Sequence, residues 1–194
     1  MKTLILNGSP RPNGDTSTMI HALTSRIHGE CKVYDCYHSS ISPCVDCRCC
    51  RKQLFCPIDD EMQALYADLA ECDNLILASP VHYAELSSGL LKVASRFQVY
   101  SSALLFRHEA LPLHIRRGAV LLAQGGSGGA QRAYETARLI FQGLGVAEVY
   151  PMLCSEHTDR IVASEDGKTL QEIEQLAEWV DSFEAQQKIL SEMP

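Results

Sequence analysis

No apolar run in the 194-residue chain approaches the roughly 20 residues that cross a bilayer, and stretches such as Ala119 to Ala123 are only strand-sized. Met1 to Asn7 holds one Lys and a short apolar run that meets Gly8-Ser9-Pro10, too little for the centre of a signal peptide. These absences make a cytoplasmic protein with no membrane partner the expectation. A basic stripe is missing too: 17 Lys and Arg against 24 Asp and Glu give a net charge of -7, which removes the electrostatic footprint of a nucleic-acid binder. There is no internal repeat, low-complexity tract or linker, and a chain that is 46% hydrophobic and 21% charged is expected to form one domain over residues 1–194. Neither the Gly-x-Gly-x-x-Gly of dinucleotide loops nor the Lys-bearing loop of nucleotide triphosphatases occurs after the first strand, and no acid-base triad is evident.

What is present is an alternation of strand-sized apolar runs with segments of helical period, the pattern of a parallel sheet covered by helices on both faces. Strands are expected at Leu4 to Leu6, Lys32 to Asp35, Asn74 to Ser79, Gly118 to Gln124 and Ala147 to Pro151. Helices are expected at Thr16 to Ile27, from an Asp59 cap through Leu69, at Leu86 to Tyr100, Gln131 to Gly143 and Leu170 to Leu190. Five such units predict an α/β fold with a five-stranded parallel sheet in the order 2-1-3-4-5.

In open parallel sheets a ligand sits beyond the carboxyl ends of the strands where their order reverses, here after the first and third strands. The first loop, Asn7-Gly8-Ser9-Pro10-Arg11-Pro12-Asn13-Gly14-Asp15-Thr16-Ser17-Thr18, offers four hydroxyls and backbone amides at the start of a helix, with Arg11 as the only nearby cation. A cradle without lysine suits a monophosphate such as the tail of FMN. Plain turn formation with Thr16 as a helix cap is the competing explanation of the same residues. Asp15 would repel a phosphate, so its side chain is expected to face solvent or cap the helix. Tyr83 suits stacking on a flavin or substrate equally with filling the core.

Gly8-Ser9-Pro10-Arg11-x-Asn13-Gly14-x-Thr16, followed by Ser79-Pro80-Val81-x-Tyr83 after the third strand, resembles the NADPH-dependent FMN reductase group of flavodoxin-like proteins. The resemblance implies a flavodoxin-like three-layer sandwich. It implies that Ser9, Arg11, Asn13, Thr16, Ser17 and Thr18 hold the FMN phosphate, that Pro80, Val81, His82 and Tyr83 line the flavin ring, and that Gly125 and Gly126 close the other side. A homodimer or tetramer is implied as well. The chain departs from the group's usual pattern at His82-Tyr83-Ala84-Glu85 and at Ser95, where an Asp usually precedes Arg96.

Nine cysteines are present, and Cys44, Cys47, Cys49, Cys50 and Cys56 fall within thirteen residues. Cys44-x2-Cys47-x2-Cys50-x5-Cys56-Pro57 has the tight spacing of cysteine runs that hold cubane clusters. Together with Ile58-Asp59-Asp60-x-Met62 it also resembles the iron-sulfur flavoprotein branch of the same group, which implies capacity for a 4Fe-4S cluster. Zinc is the second reading of the four thiols and a metal-free set the third, with Cys49 as a spare thiol. Cys31, Cys36, Cys72 and Cys154 stand apart and are expected to pack.

The expected activity is an oxidoreductase in which FMN takes electrons from NADPH, NADH or a ferredoxin-like donor and passes them to a quinone, a flavin or another small-molecule acceptor. A non-enzymatic electron carrier or thiol sensor, and a zinc-stabilised binding module, are the alternatives.

Overall fold

The computed structural model describes residues 1–192, with side chains through Ser182. Strands β1 (Lys2–Asn7), β2 (Glu30–Asp35) and β3 (Asn74–His82) run parallel, β1 lying between β2 and β3 with Lys2 opposite Glu30 and Thr3 opposite Asn74. β4 (Glu85–Leu86) turns back on β3 as a short antiparallel hairpin, and β5 (Arg117–Ala123) pairs with the other side of β3. The far edge is shared by β6 (Glu148–Val149) and β7 (Leu153–Ser155), both parallel to β5. The order β2-β1-β3-β5-β6 is the expected 2-1-3-4-5. Its fifth position is split because Pro151, between the two segments, has no amide to give the ladder.

Helices α1 (Asp15–Thr24) and α6 (Gly167–Glu192) cover one face of the sheet, while α2 (Met62–Glu71), α3 (Ser88–Ala94), α4 (Gln98–Ser102) and α5 (Ala130–Gly143) cover the other. Strand alternation produces the three layers. Ile5, Ile76 and Leu121 meet Met19, Leu23, Ile173 and Val180 on the first face, and Leu4, Leu6, Leu77 and Val120 meet Leu65, Leu69, Leu90 and Phe141 on the second.

Helix boundaries depart from the sequence reading in three places. α1 stops at Thr24, although Ile27 stays buried. α2 begins at Met62, whose amide is received by Asp60 rather than Asp59. The helix expected over Leu86 to Tyr100 is broken: Leu86 pairs with Val81, Ser87 accepts the Leu90 amide, and a 3-10 turn at Ser95–Phe97 separates α3 from α4. A π turn over Ala103–Arg107 then carries the chain on to His108 in the left-handed region. The expected helix from Leu170 to Leu190 lies inside α6, and its side chains past Ser182 fall outside the described residues.

Phe141 is fully buried against β5, where a Cβ on Gly118 would stand 3.0 Å from its Cε1. Phe141→Ala is expected to cost about 3–5 kcal/mol through the cavity it leaves, read as a lower midpoint in urea denaturation.

Candidate functional site

Three loops leave the carboxyl ends of the adjacent strands β1, β3 and β5, where Asn7 stands opposite Ala78 and Pro80 opposite Ala123. The twelve cofactor residues expected from the sequence lie on these loops, at the end of β3 or in the first turn of α1. The first is tied to the second by the Gly8 amide, which donates to Ala78 O at 2.8 Å, and by Ser87 Oγ, which donates to Gly8 O at 2.6 Å.

Within the first loop the hydroxyls divide into two kinds. Ser9 Oγ donates to Arg11 O at 3.1 Å and accepts from Arg11 N, and Ser17 Oγ donates to the same carbonyl at 3.0 Å, so both protons are spent on the loop's own backbone. This corrects the expectation of four free donors. Thr16 and Thr18 keep hydroxyls without a partner among the described residues, and Thr16 is 2% exposed. Gly14 caps α1 with no side-chain bond, which leaves the first-turn amides of the helix uncapped by any side chain. Asn13 is exposed, as is Arg11, whose side chain is 73% accessible. Asp15 neither faces solvent nor caps the helix: its Oδ1 accepts the Ala163 amide at 3.0 Å, its Oδ2 lies 3.8 Å from Arg11, and the carboxylate is thereby drawn toward the segment preceding α6.

Pro80 and Val81 are half-buried at the end of β3, while His82 is exposed at the hairpin base. Tyr83 and Ala84 make the turn with φ of 52 and 61°, a left-handed pair that non-glycine residues adopt only under strain. Tyr83 is 105% exposed, which removes the core-filling explanation of its ring.

The third loop is held by a segment the sequence reading overlooked. His157 N donates to Gly126 O, Thr158 N to Gln124 O, and Gln124 Nε2 to Glu156 Oε1 at 2.8 Å. A Cβ on Gly125 would stand 2.3 Å from Asp159 Oδ2, so a larger residue there would displace that carboxylate, whereas Gly126 is open. Glu156 to Asp159 escaped detection because the last strand was expected at Ala147 to Pro151; the available signal was the second apolar step at Leu153, two residues beyond Pro151.

The cysteine loop leaves β2 and has almost no regular structure beyond a 3-10 turn at Cys49–Arg51. Side chains from elsewhere hold it. Ser95 Oγ accepts the Cys44 amide, Gln63 Nε2 donates to Cys56 O and Ile58 O, Arg107 donates to Cys50 O, and Ser102 Oγ lies 3.3 Å from Cys50 Sγ. Cys44, Cys47, Cys50 and Cys56 all line one cavity of about 60 Å³, together with Arg48, Arg51, Arg96 and Asp46. Among the described residues no three His, Cys, Asp or Glu side chains converge on a single ion position.

Arg96 closes the loop at both ends. Its side chain is 0% exposed; Nη1 donates to Ser42 O at 3.0 Å and to Asp60 Oδ2 at 2.8 Å, and Nη2 donates to Ile58 O at 3.2 Å. Burial pushes the Asp60 carboxyl up, yet Arg96 and the amides of Ser42 and Met62 outweigh it and hold that carboxyl below its usual range.

This is an open parallel α/β protein with three loops gathered at its strand carboxyl ends. Residues 1–159 match the family model of NADPH-dependent FMN reductase, and the chain belongs to that family of oxidoreductases. It is 25% identical over 144 residues to an iron-sulfur flavoprotein of Methanocaldococcus jannaschii, covering 73% of this chain and 72% of that one. It is 29% identical over 134 residues to an iron-sulfur flavoprotein of Methanosarcina thermophila, covering 68% and 67%. Similar folds include an NAD(P)H:quinone oxidoreductase from Methanothermobacter marburgensis, with TM-score 0.69, 18% identity and 91% and 95% of the two chains covered. An FMN-dependent NADH-azoreductase from Bacillus anthracis, solved with FMN, gives TM-score 0.70 at 13% identity and covers 93% and 100%.

The remaining thiols behave differently from the loop. Burial pushes Cys36, Cys72 and Cys154 up to about 12, whereas Cys44 and Cys47 are exposed. Iodoacetamide at pH 8 on metal-free protein is expected to label Cys44 and Cys47 first and Cys36 and Cys72 only after unfolding, as followed by peptide mass spectrometry.

Proposed function

We propose that the chain is an FMN-dependent oxidoreductase that takes electrons from NADPH, NADH or a ferredoxin-like donor and delivers them to a quinone, a flavin or another small acceptor. The observation that carries this reading is Thr16, a buried residue at the uncapped start of α1 whose hydroxyl makes no hydrogen bond among the described residues, in a family of FMN reductases. That hydroxyl, the first-turn amides of α1 and the exposed Arg11 guanidinium suit a phosphate: neutral donors and the helix dipole favour the anion, and Asp15 is held by Ala163 N and Arg11. Ser9 and Ser17 act as loop ties, with Asn13 and Thr18 beside them at the mouth.

FMN, when bound, supplies both two-electron and one-electron chemistry. In this reading Pro80, Val81, His82 and Tyr83 form one wall for the ring and Gly125 and Gly126 the other. The strained Tyr83–Ala84 turn keeps the phenol at the crevice edge, free to cover an incoming acceptor.

The four cysteines of one cavity, and the two iron-sulfur flavoproteins among the relatives, support a 4Fe-4S cluster on Cys44, Cys47, Cys50 and Cys56. We read the chain as one domain and as a cytoplasmic protein; no helix among the described residues is long and apolar enough to cross a membrane. A homodimer or tetramer is supported by Val45, Phe55 and Phe106, apolar, exposed and all lining the cysteine cavity.

Thr16→Val keeps the side-chain volume and removes the donor, so FMN should bind about tenfold to a hundredfold more weakly with an unchanged melting temperature. Thr16→Glu should abolish FMN retention; fluorescence titration with FMN reads both, and wild-type affinity in both would end the phosphate assignment. An ultraviolet-visible spectrum of anaerobically purified protein, with iron and flavin assays, is expected to show flavin bands and a broad shoulder beyond them that Cys50→Ser removes. Flavin bands without iron would leave the reductase and remove the cluster.

A further inference from the structure

Arg96 has more donors than the loop ends use. Its Nη1 and Nη2 are satisfied by Ser42, Ile58 and Asp60, but Nε is buried and has no hydrogen-bond partner among the described residues. An unpaired guanidinium N–H out of contact with water forfeits a charge-assisted hydrogen bond, so such a group calls for an acceptor. The side chain carrying that donor lines the cavity of Cys44, Cys47, Cys50 and Cys56. The charge of the wall points the same way. Three arginines, Arg48, Arg51 and Arg96, face a single carboxylate, Asp46, in a chain whose net charge is -7. Of the three, Arg48 is engaged with Asp46 at 3.3 Å and Arg51 lies over the Phe106 ring at 4.3 Å, which leaves Arg96 as the one fixed in the protein interior.

We propose that Arg96 is a positioning residue for an anionic iron-sulfur occupant of the cysteine cavity, its Nη groups setting the loop and its Nε–H donating to a sulfur so that reduction of the occupant becomes easier. The inference rests on the cluster reading above. Each electron accepted adds one negative charge to a group already anionic through four thiolates, and a fixed cation with a hydrogen bond to sulfur stabilises the more negative state. Asp60 opposes this. Its carboxylate neutralises part of the Arg96 charge while accepting the Ser42 amide, so the two residues should move the potential in opposite directions.

The test uses the full chain with FMN, reconstituted anaerobically with ferrous iron and sulfide, as wild type, Arg96→Met, Arg96→Lys and Asp60→Asn. Midpoint potentials come from EPR-monitored redox titration, with iron content and FMN fluorescence as checks on folding. The expected result is a more negative cluster potential in R96M, partial recovery in R96K and a more positive potential in D60N. Iron-loaded R96M with the wild-type potential would overturn the inference while leaving the cluster. If R96M fails to fold or to load, D60N decides: a positive shift supports the role of Arg96, and no shift overturns it. Wild-type protein that takes up no iron and sulfide would overturn the cluster reading and this inference together.

Discussion

Gly8 leaves no room for a side chain: a Cβ there would stand 2.5 Å from Ser87 Oγ and 2.8 Å from Leu90 Cβ. This close approach of β1's end to the start of α3 is the constraint on which the arrangement of the loops depends. It lets Ser87 Oγ reach Gly8 O while Ser87 also accepts the Leu90 amide, so one hydroxyl caps α3 and fixes the first loop. Ser79 Oγ receives the Ser87 amide, which ties the end of β3 to the same point. Two loops from strands far apart in sequence, those after β1 and β3, are thereby set to one another by buried hydrogen bonds, each exacting in geometry because no water is there to replace it.

The parallel sheet determines where such a point arises. β1 pairs with β2 on one side and β3 on the other, so the chain's crossovers lie on opposite faces and the loops at the carboxyl ends diverge. Uncapped amides of α1 then open into the gap between them. Asp15 is drawn toward Ala163 N, so the carboxylate in the first turn does not fold back on the amides at the helix start.

Much of this was legible in the chain. Apolar runs at Leu4 to Leu6, Asn74 to Ser79 and Gly118 to Gln124 mark buried parallel strands, because such strands are covered on both faces and need no alternation. The hydroxyl-rich stretch from Ser9 to Thr18 marked the first loop by composition. Which hydroxyls remain donors was not legible: Ser9 and Ser17 turn inward to Arg11 O, and only the folded path of Pro10 to Gly14 brings that carbonyl within reach. The break of the helix after Leu86 was hidden for a similar reason, since its pattern suits a helix and only pairing with Val81 makes it a strand. The sequence points to Asp59 as the cap of α2, and only the fold, which sets Arg96 against Asp60 from 36 residues beyond it, puts Asp60 at the Met62 amide instead.

Arg96 also shows why the cysteine loop is the part least written in local sequence. A loop running from Ser42 to Ile58 is long for a compact domain and pays an ordering entropy that its few backbone hydrogen bonds do not return. Apart from Gln63 close by, its order comes from Ser95, Arg96, Ser102 and Arg107, all on the elements that follow β4 and all remote in sequence. A buried ion pair is a weak source of net stability, because taking both charges out of water offsets most of their attraction. Its effect is on which arrangement is allowed. With Asp60 bound to Arg96 and to the Ser42 amide, both ends of the loop are drawn onto one guanidinium, and any register that moves either end leaves a charge buried without its partner, at a cost of about 3–5 kcal/mol. The four cysteines therefore share a cavity because the loop's ends are fixed, and the residue that fixes them keeps a buried donor to spare.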